Sequence, residues 1–550
     1  MKWRRYLLPA AIFAVLVVFV IYPVLSVLGR SLSVGGKLGL GNYVRVLTEP
    51  HLRNTLIGSA LLAVSVAAIA TLLGLTIAIV VLKTELPFRR LFALAAVMPM
   101  IIPGFVASLS YIFLFGRNGL ITYKLLGLNL NVYSWRSVLI IQMLDFTTLA
   151  FLLISAVLVS ADSRLEDAAR NLGASEWEVL TTVTLPLTYP GIISALLLIF
   201  MRSMADFSTP LLVGGSFSTL ASASYMALIG TFNTEMASTL NTILLICSMT
   251  VFGAYLRVQA VTGRVRKQDT GAARKPLCLG RPAAAILWTV GALFTTYIFM
   301  ILISVFMAAF SKHLGANYQF TLEYFRMLPH REWNGVINTI SFATVTALIV
   351  SFLGVVVAYL VTRIEFKGRG LLDLMATLPF AVPGTFMGVG YVLAFSHAPL
   401  VLTGSWLIVV ILTVIRELPI GIRSGVSVLT QQDDTIEDAS TSLGASKLTT
   451  FFRIIIPAAR PALLVSALYA FVATVKTIGA VIFVITPGTK LLSIDVFEAV
   501  VKGGIGNAAS LSVVMLLLSA MGMGMIFLLN RRGAGERWLK PGLVYDVHGS

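Results

Sequence analysis

Six ionisable side chains sit where the surrounding sequence is apolar: Asp145, Arg202, Asp206, Arg416, Glu417 and Lys476. A charge in such a stretch is costly, and by default it marks a functional position. The chemistry open to it is a polar lining for a moving solute or an ion pair that ties helices together. Three acids balance three bases, so the set gives no sign for the charge of a substrate. Arg202 and Asp206 are four residues apart, a spacing that on one helix puts them on a common face. Catalytic patterns are missing from the chain. His51, His313, His330, His397 and His548 are scattered and none precedes a Glu, so there is no H-E-x-x-H zinc site. No G-x-S-x-G nucleophile elbow occurs. The Gly36-Lys37 pair is followed by Leu38, so no P-loop is present. Cys247 lies in an apolar run and Cys278 in a basic segment, and both read as free thiols.

The elements that must position these charges follow from composition. Of 550 residues, 57% are hydrophobic and 12% charged, with a mean hydropathy of +0.91. A soluble domain carries about 25% charged residues. At half that density there is too little polar surface for several water-soluble domains, so the solvent is lipid. Twelve segments reach the roughly 20 apolar residues that a bilayer core requires. Numbered one to twelve as spans, they run near 6–29, 55–82, 90–115, 137–160, 190–213, 238–260, 284–310, 336–362, 371–396, 405–430, 461–486 and 507–530. The expected fold class is an all-α membrane protein, since irregular backbone cannot face lipid. The first run is too long for a signal-peptide core and no small-x-small cleavage site follows it, so it reads as an uncleaved helix. Lys and Arg total 41 against 24 Asp and Glu, a net charge of +17. With the N-terminus inside, 26 of those 41 fall in inner loops and 12 in outer ones. That bias places both termini in the cytoplasm and makes nucleic acid an unneeded partner; the membrane lipid is the contact expected.

The chain repeats itself. Glu166-Asp167-Ala168-Ala169 and Leu172-Gly173-Ala174-Ser175 recur 271 residues on as Glu437-Asp438-Ala439-Ser440 and Leu443-Gly444-Ala445-Ser446. Pro186 recurs as Pro457 and Pro190 as Pro461. Upstream, Pro99 to Gly104 recurs as Pro379 to Gly384 at an offset of 280, which Gly74/Gly354, Lys83/Arg363 and Glu85/Glu365 share. By the first offset Asp145 corresponds to Arg416, an acid and a base in equivalent places. Two parallel six-helix repeats are expected, related by an axis along the membrane normal. They cover 1–260 and 284–550, joined by a basic cytoplasmic linker at 261–283. The Pro pairs that open spans three and nine free backbone carbonyls, and read equally as a gate or as ordinary membrane prolines.

In each half the longest inner loop, about 161–189 and 431–460, follows the fourth span. Acids open a first helix and suit the positive end of its dipole. Gly173 or Gly444 then ends or bends it, and Pro186 or Pro457 breaks the chain before the next span. The expected product is a short helix on the inner face, held by apolar residues and showing polar ones to the cytoplasm. Used twice, it suits a two-fold symmetric partner.

Asp167-Ala168-Ala169, three residues, Gly173, then Val183 and Leu185-Pro186, resembles the EAA loop of membrane subunits in binding-protein-dependent ABC importers. Asp438-Ala439-Ser440, Gly444, Ile454 and Ile456-Pro457 match it again. Each copy departs slightly: Asp stands for the first Glu, and Ser440 for an Ala. Six plus six spans with two such loops most resemble the fused ferric iron permeases. The resemblance implies the type I importer permease fold. It assigns Glu166, Asp167, Ala168, Gly173, Pro186, Glu437, Asp438, Ala439, Gly444 and Pro457 to ATPase coupling. It also implies a homodimeric ATP-binding subunit that uses ATP and Mg, an extracytoplasmic solute-binding protein, and residence in the bacterial inner membrane. The chain itself is expected to bind no cofactor. Related fused permeases handle thiamine, phosphonates or sugar phosphates. An ion-coupled secondary transporter also uses repeats and intramembrane carboxylates, but it has no ATPase for paired loops to meet.

Overall fold

A computed structural model describes residues 4–117, 119–129, 131–262, 275–278, 280–313, 317–433 and 435–533. Most of the linker 261–283, and His548, lie outside the described residues. Among the described residues, nine helices are long and apolar enough to cross a membrane, or eleven when each of two sharply bent pairs counts once. These occupy eleven of the twelve expected places. Span ten is Trp406–Leu429, a 24-residue helix into which Arg416, Glu417 and Arg423 bring three charges. Strands among the described residues are confined to two small hairpins. Ser33–Val34 pairs with Lys37–Leu38, and Ser311–His313 with Asn317–Phe320.

The halves are built alike. Span two (Pro50–Lys83) packs on span four (Trp135–Ser160) and span five. Span eight (Trp333–Arg363) packs in the same way on spans ten and eleven. The repeated glycines mark the close approaches. A Cβ on Gly74 would fall 2.4 Å from Ala150, and one on Gly354 would fall 2.5 Å from the Gly421 backbone. The first span of each half crosses over: span one packs on span nine, and span seven on span three. Tyr391 of span nine donates to the Phe19 carbonyl of span one at 2.8 Å. The halves are thus interleaved, not merely adjacent.

Four expectations need correction. Spans three and nine are not continuous. Each starts as a helix, Arg89–Val97 and Arg369–Thr377, tightens at Met98–Met100 and Leu378–Phe380, and restarts at Gly104 and Gly384. The bend in span nine is 107°. Pro103 and Pro383 adopt extended backbone. Proline supplies no N–H and disfavours helix in the residue before it, so the two-proline segment cannot stay helical. Irregular backbone at membrane depth is tolerated where it is buried or lines a cavity.

Span five begins early, at Glu176, and ends at Ala205 rather than 213. Span eleven ends at Lys476 rather than 486. Short helices follow both ends, including Ser208–Val213 and Leu220–Tyr225 in the first half and Leu492–Val501 in the second. Apolar content carries on past the helix ends, which is why sequence alone extends them.

Pro186 does not break its chain. The π-helical turn Val179–Thr184 runs directly into Leu185–Ala205, so the proline sits inside a continuous helix, just after the π turn. Pro457 precedes a 68° bend at Ala459. Finally, the paired loops present apolar residues beside the expected polar ones, because Leu172 and Leu443 stand exposed on them.

Candidate functional site

Both loops are built by the same local rules. Asp162 caps the helix Ser163–Asn171 by accepting from the Arg164 N–H at 3.0 Å. Asp433, 271 residues on, accepts from the Thr435 N–H at 3.1 Å ahead of Thr435–Ser442, and that bond holds its carboxyl below the usual range. Gly173 and Gly444 then turn the chain at φ of +90° and +84°. Only glycine enters this left-handed region freely. Ser175 and Ser446 cap the next short helix in each copy. The tip of each turn is a leucine: Leu172 is 89% exposed and Leu443 is 88% exposed. Trp177 and Leu448, again 271 apart, are also exposed. Each loop thus carries two exposed apolar side chains at matched positions, an arrangement that suits a docking surface.

The coupling residues divide into presenters and braces. Ala168, Gly173, Pro186, Asp438, Ala439, Gly444 and Pro457 are exposed, and Asp167 is partly so. Asp167 accepts from Arg170 at 3.1 Å, and Arg170 also holds Glu176 at 2.9 Å. The Glu176 carboxylate pushes the Arg170 guanidinium further toward its charged form. Glu166, by contrast, is 2% exposed and faces inward. Its carboxylate takes Lys83 Nζ at 2.6 Å and the Thr184 hydroxyl at 2.8 Å. In the second copy Glu437 pairs with Arg363 at 3.2 Å. The cation that ends the second span of each half therefore clamps the acid of its loop. Sequence reasoning finds the Lys83/Arg363 repeat without a role for it; the shared offset is the signal. The Ser440 departure is also accommodated. Ser440 and Thr450 hydroxyls bond at 2.9 Å where the first copy packs Ala169 on Val179.

The six membrane charges do not all line one cavity. Arg202, Arg416 and Glu417 line one cavity of about 70 Å³ between the halves, together with Tyr469, Ser248 and the span-nine break from Pro379 to Gly384. Arg202 is exposed to that space and the other two are partly exposed. Asp145 lies elsewhere, in a pocket of about 10 Å³ with Pro99 and Tyr297. Asp206 is not on a face with Arg202. It follows the end of the helix in extended backbone, where it takes Gln142 Nε2 at 2.8 Å and the Ser208 N–H at 3.0 Å. Lys476 reaches across the halves and donates to the Met100 carbonyl at 2.6 Å, an acceptor beside the proline break. Asp145 and Arg416 do keep their equivalence. A Cβ on Gly104 would lie 3.4 Å from Asp145 Oδ2, and one on Gly384 would lie 2.6 Å from Arg416 Nη1.

On the side away from the loops, rings from both halves meet. Phe207 and Tyr225 of the first half stack at 5.3 Å between centroids. Phe497 of the second lies 6.2 Å from Phe207, and Phe483 lies 5.8 Å from Tyr225. Below this cluster the cavity lining continues toward the loops through Leu198, Ser248 and Ile420.

A charged chamber between interleaved repeats, with a matched pair of exposed loops, fits a solute-conducting membrane subunit. Residues 70–260 and 351–534 match the family described as binding-protein-dependent transport system inner membrane component, and the chain belongs to it, carrying the unit twice. It is thus a multi-pass inner-membrane permease. It is 29% identical over 542 residues to the ferric transport system permease protein FbpB of Actinobacillus pleuropneumoniae, covering 94% of this chain and 77% of that one. A Haemophilus influenzae protein whose name assigns it to a ferric transport system, FbpB 1, is 30% identical over 517 residues, or 90% of this chain and 80% of its own. The molybdenum transport system permease protein ModB of Escherichia coli is 30% identical over 191 residues. That match covers 81% of ModB but 33% of this chain, as expected when a single unit aligns with one half.

Proposed function

We propose that this chain is the permease of an ATP-driven importer whose substrate is ferric iron. The observation that carries the coupling part is the pair of leucine knobs, each set by a left-handed glycine and related by one offset. Two identical knobs fit two identical grooves, so the partner is a homodimer of ATP-hydrolysing subunits. ATP and Mg bind that partner, and no cofactor belongs to this chain. The loop side is cytoplasmic and carries both termini. A solute-binding protein docks on the opposite face, where the two small hairpins lie. Full-length relatives named for ferric transport support the substrate.

The test is reconstitution of the chain with its partner ATPase and solute-binding protein. The chain alone is expected to hydrolyse no ATP, because it lacks a P-loop. The complete assembly is expected to hydrolyse ATP and to move radioactive iron from the binding-protein side to the ATPase side of the vesicle membrane. Saturable hydrolysis by the isolated chain after extensive purification would overturn the division of labour. Uptake of thiamine, phosphonate or sugar phosphate in place of iron would overturn the substrate.

A further inference from the structure

The inter-half cavity has a donor set that does not suit a bare ferric ion. A hard cation is held by several anionic oxygens. Here the lining offers one carboxylate, Glu417, against two guanidiniums, Arg202 and Arg416. The guanidiniums come from different halves, one from span five and one from span ten. Among the described residues, no ion pair within 4.0 Å includes Arg202, Arg416 or Glu417. Arg202 has Tyr469 as a side-chain hydrogen-bonding neighbour. Two like charges facing one chamber within the membrane repel, and an anion between them relieves that repulsion. The guanidinium fork matches a tetrahedral oxyanion, through two parallel N–H donors.

Size narrows the ligand. A water needs roughly 10–15 Å³ of such space, so about 70 Å³ holds on the order of five waters or one small tetrahedral anion. The span-nine break is shaped to the task, because Gly384 lets Arg416 lie against it where a Cβ would sit 2.6 Å from the guanidinium.

We propose that this cavity is a subsite for a small tetrahedral oxyanion of the phosphate class, gripped by Arg202 and Arg416 together. We infer further that iron crosses with such an anion and not as a bare trication, and this second part rests on the ferric reading above. Pairing lowers the net charge that makes crossing costly.

The experiment uses the assembled transporter in lipid nanodiscs, with inorganic phosphate, sulfate and chloride as probes and calorimetry as the readout. Phosphate is expected to bind and chloride not to. Arg202→Gln and Arg416→Gln should each weaken phosphate at least about tenfold, as loss of a charge-assisted hydrogen bond does. Arg202→Lys, which keeps the charge, should recover part of that loss. Co-purification of the ATPase with each variant reports that it is folded. Equal heats for phosphate and chloride, or binding unchanged in the folded double variant, would overturn the subsite. Iron uptake with and without phosphate separates the sources. Uptake that needs phosphate, and loses that need in Arg416→Gln, supports anion-borne iron. Uptake indifferent to phosphate removes the second part. If phosphate binds through both arginines but no iron is carried, the ferric reading fails while the oxyanion subsite stands.

Discussion

Lys83 and Glu166 meet at 2.6 Å with side chains 2% and 3% exposed. Glu166→Gln leaves a buried ammonium without its counter-charge, which costs about 3–5 kcal/mol. Glu437→Gln is the milder change. Its partner Arg363 still donates to the Leu429 and Gln432 carbonyls at 2.8 and 2.9 Å, and this pair is wetter, at 10% and 20%. A loss of about 1 kcal/mol or less is expected there. Thermal unfolding midpoints of the purified variants compare the two directly; equal drops would contradict the buried-clamp account. The Ser440–Thr450 bond offers a cleaner pair. Ser440→Ala removes the hydroxyl–hydroxyl bond but leaves Thr450 donating to the Ser446 carbonyl at 3.2 Å, so it should cost about 1 kcal/mol or less. Adding Thr450→Val should recover it, because the first half is already Ala169 on Val179. A double variant no more stable than Ser440→Ala alone would show that the bond is idle. At this scale the sequence is readable where one offset links two positions, as for Lys83 and Arg363. It is silent where the contact crosses between offsets or between halves, as for Lys476 on Met100.

The glycine turns set the geometry of the loops proposed to couple to the ATPase. No atom lies within 4 Å of a Cβ built on Gly173 or Gly444. Any harm from substitution there comes from the left-handed backbone and not from crowding. Valine is penalised in that region by roughly 1–2 kcal/mol, whereas asparagine visits it. Gly173→Val and Gly444→Val should therefore lose ATPase association and transport while inserting normally, and the asparagine variants should retain most of both. If valine and asparagine behave alike, turn geometry is not what the partner reads. Asp162, Asp433 and the two glycines are all short-range signals, which is why the loops are legible in the sequence. The breaks in spans three and nine are less so. Their prolines stand out, but lipid-compatible residues run through both sides of each break, and hydropathy cannot tell a bent span from a straight one. The same blindness carries the expected end of span five past Asp206 and puts it wrongly on a face with Arg202.

At the scale of the whole molecule, the interleaving of spans one and seven with the opposite half means that the halves can rock but not separate. The aromatic cluster of Phe207, Tyr225, Phe483 and Phe497 closes the side away from the loops. The cavity below it is lined toward the loops. For solute to enter from that side, these rings must part. Two cysteine experiments test this in a background where Cys247 and Cys278 are replaced by serine. Arg202→Cys should react with a membrane-impermeant thiol reagent offered from the loop side without nucleotide, and should be protected when ATP and the partners drive the other conformer. Asp206→Cys, capped behind the helix end, should react slowly from that side. Bridging Phe207→Cys to Phe497→Cys with a short bifunctional reagent should then stop transport while leaving ATPase association and thiol labelling at position 202 intact, and a cleavable bridge should restore transport on cleavage. Normal transport through the bridged protein would mean that the ring cluster is packing and the path opens elsewhere. Failure of a well-folded Arg202→Cys variant to react in any nucleotide state would place that side chain among structural charges, and the cavity would lose its claim to the path.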